Sequence, residues 1–131
     1  MKIGILGTGD VGRTLANGFL ATGHQVMMGS REAANDKALA WATEAGAGST
    51  ASAGTFAAAA KFADVVVLAV SWSGTENALK LAGEENLAGK VVIDAVNPLN
   101  FGPQGLELAI GHTDSAGELV QRWLWLFARI E

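Results

Sequence analysis

Short apolar runs without polar alternation punctuate the chain. The strongest are Lys2–Leu6, Val65–Val70 and Val91–Ile93. Runs of this kind are typical of strands buried on both faces, as in the parallel sheets of α/β proteins. A weaker run at Gln25–Met28 and a poor one near Gly48–Ser52 add two strand candidates. The pattern therefore predicts about five strands.

Segments with helical spacing of apolar residues lie between these runs. The first begins near Val11 and ends at Gly23, a residue suited to a helix C-terminus. Further helices are predicted over residues 35–45, over residues 55–62 and from residue 73 or 74 to residue 81. Strands that alternate with helices predict one parallel sheet with right-handed crossovers. The expected fold is a doubly wound, Rossmann-type α/β domain with helices on both faces.

The C-terminal segment is predicted to be a long loop followed by a helix. Ser115–Glu118 fits a capping box, and helical spacing continues into the aromatic run Trp123–Phe127. We treat residues 1–131 as one domain in which residues 114–131 form a helix with an aromatic tail. Such a tail would expose a large apolar patch on a monomer, so we expect it to form a homodimer contact or to fill space in the domain.

Composition excludes several function classes. The 131 residues are 50% hydrophobic and 17% charged, which predicts an ordered globular domain. A net charge of −4 disfavours nucleic-acid binding. The chain has no cysteine and two histidines, so thiolate chemistry and a histidine-rich metal site are excluded. The sequence shows neither a signal peptide nor a run of bilayer length, and we expect a soluble, cytoplasmic protein.

A glycine-rich loop directly follows the first strand candidate. Its sequence fits G-x-G-x-x-G and consists of Gly7, Thr8, Gly9, Asp10, Val11 and Gly12. Gly7 permits the tight turn, Gly9 lets a pyrophosphate approach the backbone, and Gly12 allows close packing of helix and sheet. The helix N-terminus offers free N–H groups to the anion. The loop therefore predicts a dinucleotide site.

The residues after the second strand candidate indicate which dinucleotide binds. NAD-dependent proteins usually carry an acidic residue here, which holds the ribose 2′-hydroxyl. This chain has Ser30 and Arg31, whose hydroxyl and guanidinium suit a 2′-phosphate, and Lys37 could add a second positive charge. These residues favour NADP. Glu32 would reverse the preference if it pointed inward and held a 2′-hydroxyl.

The stretch from Lys2 to Gly12 resembles the start of coenzyme F420-dependent NADP oxidoreductases. The likeness extends to about Leu124 and continues through Gly23–Val26, Met28–Arg31, Ala63–Val70, Val92–Leu99 and Ser115–Glu118. The resemblance implies hydride transfer between NADPH and a flavin-like or deazaflavin acceptor. It further implies cofactor contacts at Ser30, Arg31, Ala69, Val70, Ser71, Trp72, Asn97 and Pro98.

The chain departs from this family in two respects. Family members often have proline where this chain has Ser71. They also continue into another strand and a C-terminal part that helps to form the substrate cleft and the dimer. The sequence here ends soon after its aromatic tail, so the resemblance predicts a shortened C-terminal part.

No catalytic side chain is predicted, because in hydride transfer the cofactor itself carries the chemistry. Two alternatives to the oxidoreductase stay open. One is a non-catalytic NADP-binding module, or a truncated remnant without turnover. The other is a methyltransferase that binds S-adenosylmethionine with a similar loop, which Arg31 disfavours because such proteins usually carry an acidic residue there.

Overall fold

The computed structural model describes residues 1–46 and 50–96, together with the backbone of residues 99–102, 105–108 and 128–130. The five predicted strands are present as β1 (Lys2–Leu6), β2 (Gln25–Ser30), β3 (Ala51–Thr55), β4 (Val65–Leu68) and β5 (Lys90–Asp94). They are parallel in the order β3-β2-β1-β4-β5. The doubly wound α/β prediction is confirmed.

Helices connect the strands as the sequence predicts. They are α1 (Asp10–Ala21), α2 (Asp36–Ala45), α3 (Phe56–Phe62), α4 (Thr75–Ala82) and α5 (Glu84–Leu87). The short helix α5 was not predicted. A 3-10 turn (Trp72–Gly74) precedes α4. The Asn35 side chain accepts a hydrogen bond from the N–H of Ala38 at the start of α2. Thr55 does the same for Ala58 at the start of α3. Asparagine and threonine are both residue types preferred at helix N-termini.

The sheet buries apolar side chains on both of its faces. On one face Ile3 and Ile5 of β1 pack in a cluster that includes Trp41 of α2. On the other face Leu6 and Val66 pack with residues of α3, α4 and α5. Successive strand residues point to opposite faces, so β1 contributes to both clusters. This two-sided burial explains why the strand sequences lack polar alternation.

Three C-terminal strands correct the predicted loop and helix. β6 (Leu99–Gly102) and β7 (Gly105–Leu108) pair antiparallel where a loop was expected. β8 (Ala128–Ile130) adds a sixth parallel strand beside β5, so the helix predicted over 114–131 is wrong at its last residues. Pairing with the free edge of β5 satisfies the backbone N–H and C=O groups of β8. This pairing is with a distant part of the chain, so the local spacing of apolar residues could not predict it. Residues 114–127, with the aromatic run, lie outside the described part of the chain.

The amino edge of the sheet carries a partly buried lysine. The Nζ atom of Lys90 donates a hydrogen bond to the carbonyl oxygen of Ala60 near the end of α3. Burial lowers the pKa of Lys90, and the nearby carboxylate of Asp64 partly opposes that shift. Because β5 begins at Lys90, this group lies at the end of the sheet opposite to the carboxyl ends of the strands.

Candidate functional site

A cleft of about 890 Å³ lies at the carboxyl edge of the sheet. It is bordered by the turns that follow β1, β2 and β4 and by the first residues of α3 and α4. β1 is flanked by β2 and β4, so the chain leaves the centre of the sheet in opposite directions at this point. Open α/β sheets bind ligands at such a switch point.

Gly7 sets the turn out of β1. Its φ angle is +136°, and a Cβ atom there would lie 2.3 Å from the carbonyl oxygen of Ala69. The N–H of Gly7 donates to the carbonyl oxygen of Gly29, at 3.0 Å. Only glycine fits both the backbone conformation and the space. The turn therefore lies directly against the residues that follow β4.

Gly9 is the N-cap residue of α1, and its backbone conformation, unlike that of Gly7, does not require glycine. Its φ of −79° and ψ of −174° suit any residue, and a Cβ atom there would meet nothing within 4 Å. The protein therefore leaves open space at the cleft surface of Gly9. No side chain caps this helix end. The first N–H groups of α1 and its dipole are thus available to an anion.

The remaining loop residues lie outside the cleft lining. Asp10 is exposed and pairs with Arg13, with 2.7 Å between Oδ1 and Nη2. Val11 is exposed. Gly12 is buried against β1, where a Cβ atom would lie 3.0 Å from the carbonyl oxygen of Gly7. This position matches the expected packing role of Gly12. Cofactor contacts by the three loop residues Asp10, Val11 and Gly12 stay predictions.

Ser30 and Arg31 both line the cleft, in different ways. Ser30 is 5% exposed, and its hydroxyl donates to the backbone carbonyl of Glu32. That bond uses its only proton, so the expected donation from Ser30 to a phosphate is not available in this conformation. Arg31 is exposed and forms no hydrogen bond or ion pair within the described residues. Its guanidinium is the better candidate for an anion.

Lys37 and Glu32 complete this end of the cleft. Both are exposed, and Lys37 lies in the first turn of α2. With Arg31, the charged side chains lining the cleft among the described residues are two cations and one carboxylate. The balance favours a phosphate, which carries charge, over a hydroxyl group, which does not.

The opposite wall is a hydrogen-bonded turn after β4. The carbonyl oxygen of Ser71 accepts hydrogen bonds from the N–H of Gly74 and from the hydroxyl of Thr75, each at 3.0 Å. Thr75 is fully buried, which fixes the start of α4. The predicted residues Ala69, Val70 and Ser71 all line the cleft. Trp72 does not, and instead packs against the cluster beneath α3 and α4.

The structure thus brings together most of the predicted cofactor-binding residues, namely Gly7, Thr8, Gly9, Ser30, Arg31, Lys37, Ala69, Val70 and Ser71. Asn97 and Pro98 lie outside the described residues. Sequence reasoning missed five lining residues: Asn35, Phe56, Ser73, Gly74 and Asn77. Each follows the carboxyl end of β2, β3 or β4, so extending the edge rule to every residue of the connections after these strands would have found them.

Two properties of the described residues bear on other functions. Within them, no group of three or more histidine, cysteine or acidic residues could hold a metal ion. Their helices include none with the length and apolarity needed to cross a bilayer.

The sheet order, the glycine turn and the cleft define a Rossmann-type dinucleotide-binding fold. The family model described as NADP oxidoreductase, coenzyme F420-dependent, matches residues 2–98. The chain belongs to this family. The match favours an oxidoreductase over the methyltransferase alternative. No curated protein matches the chain at a significant level.

Solved structures agree with this assignment. A protein from Arthrobacter sp. FB24, described as a candidate F420-dependent NADP reductase, is 37% identical and has a TM-score of 0.87. The alignment covers 99% of this chain and 60% of that protein, so the chain spans less than two thirds of its length.

More distant structures share the fold alone. An imine reductase from Bacillus cereus BAG3X2 is 21% identical with a TM-score of 0.69, covering 98% of this chain and 38% of that one. A pyrroline-5-carboxylate reductase from Coxiella burnetii gives the same identity and TM-score, covering 98% of this chain and 41% of that one.

Proposed function

We propose that this protein binds NADP(H) and acts as an oxidoreductase that transfers a hydride between NADPH and a flavin-like or deazaflavin acceptor. One observation carries the proposal: the cleft joins an uncapped helix N-terminus at Gly9 to a free guanidinium at Arg31. A pyrophosphate at the first site and a 2′-phosphate at the second are two anions that one dinucleotide supplies.

The charge around Arg31 supports NADP over NAD. A ribose 2′-hydroxyl is usually held by a carboxylate at the end of the second strand, and an arginine stands there instead. Lys37 adds a second cation to the same cleft. Glu32 also lines the cleft, but the two cations Arg31 and Lys37 outnumber its single carboxylate. A 2′-phosphate would therefore bind more strongly in this cleft than a 2′-hydroxyl would.

The residues of the chain bind and orient the cofactor in this proposal. Bound NADPH would supply the hydride. The turn at Gly7, held against Ala69, fixes the relative positions of the glycine loop and the wall after β4. A fixed cofactor lowers the entropic cost of bringing donor and acceptor together. The acceptor class rests on the family description. A cytoplasmic homodimer formed through Trp123–Phe127 belongs to the same proposal.

Replacing Arg31 by alanine tests the cofactor preference. Wild-type protein is expected to bind NADPH more tightly than NADH. Arg31→Ala should weaken NADPH binding by about 10- to 100-fold, because hydrogen bonds to a charged group contribute about 1.5–3 kcal/mol, and should leave NADH nearly unchanged. Isothermal titration with both cofactors measures the two dissociation constants.

Lys80→Ala provides the control for this titration. Lys80 is an exposed cation paired with Glu76 on α4 and lies outside the cleft lining. Its removal changes the net charge by the same amount and should leave both affinities at the wild-type level. Equal wild-type affinities for NADPH and NADH would refute the NADP assignment.

Turnover separates hydride transfer from binding alone. With a flavin or deazaflavin acceptor, the proposal expects NADPH oxidation, which is followed by the loss of nicotinamide absorbance. Tight NADPH binding without oxidation of NADPH in the presence of such acceptors would favour the non-catalytic NADP-binding module instead.

A further inference from the structure

The cleft contains an apolar surface that the phosphate contacts do not use. Phe56 at the start of α3 and Val70 after β4 both line it. Phe56 is 7% exposed, so a small part of the residue faces the cleft while the rest packs in the core. The turns after β2 and β4 stand on either side of the glycine loop, because these strands flank β1.

The proposed cofactor places its base in this same cleft. The 2′-phosphate of NADP is attached to the ribose that also carries adenine. If the pyrophosphate lies above Gly9 and the 2′-phosphate lies beside Arg31, the adenine ring can contact the apolar surface of Phe56 and Val70. A flat aromatic base gains from contact with apolar side chains.

Asn77 offers hydrogen-bonding groups at the same cleft. It lies in the first turn of α4, is exposed, and forms no hydrogen bond within the described residues. Asn35 is the other side-chain amide of the lining, and its carbonyl oxygen already caps α2. The amide of Asn77 presents one acceptor beside donors. Adenine presents the matching pair, an N6 amino donor beside a ring-nitrogen acceptor.

We propose that Asn77 recognises the adenine base, so that the cleft selects the base as well as the 2′-phosphate. The inference rests on the proposed NADP(H) site and adds a residue that determines specificity for the base. Arg31 would determine the preference for a phosphorylated ribose, and Asn77 the preference for a purine with a free amino edge. The two preferences are independent and can be measured separately.

The test compares NADP+ with 1,N6-etheno-NADP+, in which the N6 amino group and N1 are bridged and the amino hydrogens are lost. Wild-type protein should bind NADP+ about tenfold more tightly, the gain expected from two neutral hydrogen bonds. Asn77→Leu keeps the side-chain volume and removes both polar groups. It should weaken NADP+ binding by about tenfold and leave the etheno analogue unchanged, which removes the preference.

Two further variants complete the test. Asn77→Ala removes the same polar groups without apolar bulk and should behave like Asn77→Leu. Glu76→Gln changes the neighbouring residue, which pairs with Lys80 outside the cleft lining, and should keep the wild-type preference. Thermal denaturation of each variant checks the fold.

The outcomes separate this inference from the proposed function. If Asn77→Leu and Asn77→Ala keep the wild-type preference for NADP+ over the etheno analogue, steric exclusion explains that preference and Asn77 does not recognise the base. If wild-type protein fails to bind NADP+ at all, the proposed function itself fails and this inference fails with it.

Discussion

A Gly9→Val variant is expected to fold like the wild type and to lose about a hundredfold or more in affinity for NADPH. The backbone angles of Gly9 are accessible to valine, and the protein leaves the space around its Cβ position open within 4 Å. The added side chain therefore meets the ligand rather than the protein. A loss of about 2.7 kcal/mol in binding free energy corresponds to that hundredfold change.

Gly18→Ala is the matched control, because Gly18 lies in the same helix and also has no neighbour within 4 Å of its Cβ position. It lies outside the cleft lining, so NADPH affinity should stay unchanged. The free energy of unfolding should rise by about 0.5–1 kcal/mol, the usual gain for glycine to alanine in a helix. Wild-type affinity in Gly9→Val would show that no pyrophosphate approaches this turn.

A Gly7→Ala variant is expected to lose stability, by about 3–5 kcal/mol in the free energy of unfolding. Two costs add at this position. The φ angle of +136° is strained for alanine, and the new Cβ atom would lie 2.3 Å from the carbonyl oxygen of Ala69. Relief requires the turns after β1 and β4 to separate. Urea denaturation measures the loss.

Gly23→Ala separates the two costs. Gly23 also has a positive φ, of +89°, but its Cβ position has no neighbour within 4 Å. Only the backbone strain applies, and the expected loss is about 1–2 kcal/mol. Similar losses in Gly7→Ala and Gly23→Ala would show that the collision with Ala69 is relieved at little cost, and that the Gly7 turn does not depend on close contact with β4.

The sequence was most informative where local interactions decide the structure. The strand, glycine turn and helix from Lys2 to Ala21 follow from a short stretch of chain, because buried strands and helix starts have local signatures. The caps at Asn35 and Thr55 were likewise predictable from residue type. Arg31 was placed correctly in the cleft because it immediately follows β2.

Features that depend on tertiary contacts were harder to predict. β3 lies at Ala51–Thr55 rather than near Gly48–Ser52, because an edge strand of small residues gives a weak apolar signal. The donation from Ser30 to the backbone of Glu32 depends on turn geometry that residue types do not reveal. Asn77 and Phe56 reach the cleft only because the crossovers bring separate strand ends together.

The central claim is that one dinucleotide binds across the glycine loop and the end of β2. Titration of ¹⁵N-labelled protein with NADP+, followed by heteronuclear NMR, tests it directly. The backbone amides of Thr8, Gly9 and Arg31 should show the largest chemical-shift changes. The amide resonances of Lys2 and Lys90, at the opposite edge of the sheet, should not shift. Saturable NADP+ binding that leaves the amides of the glycine loop unmoved would contradict the account.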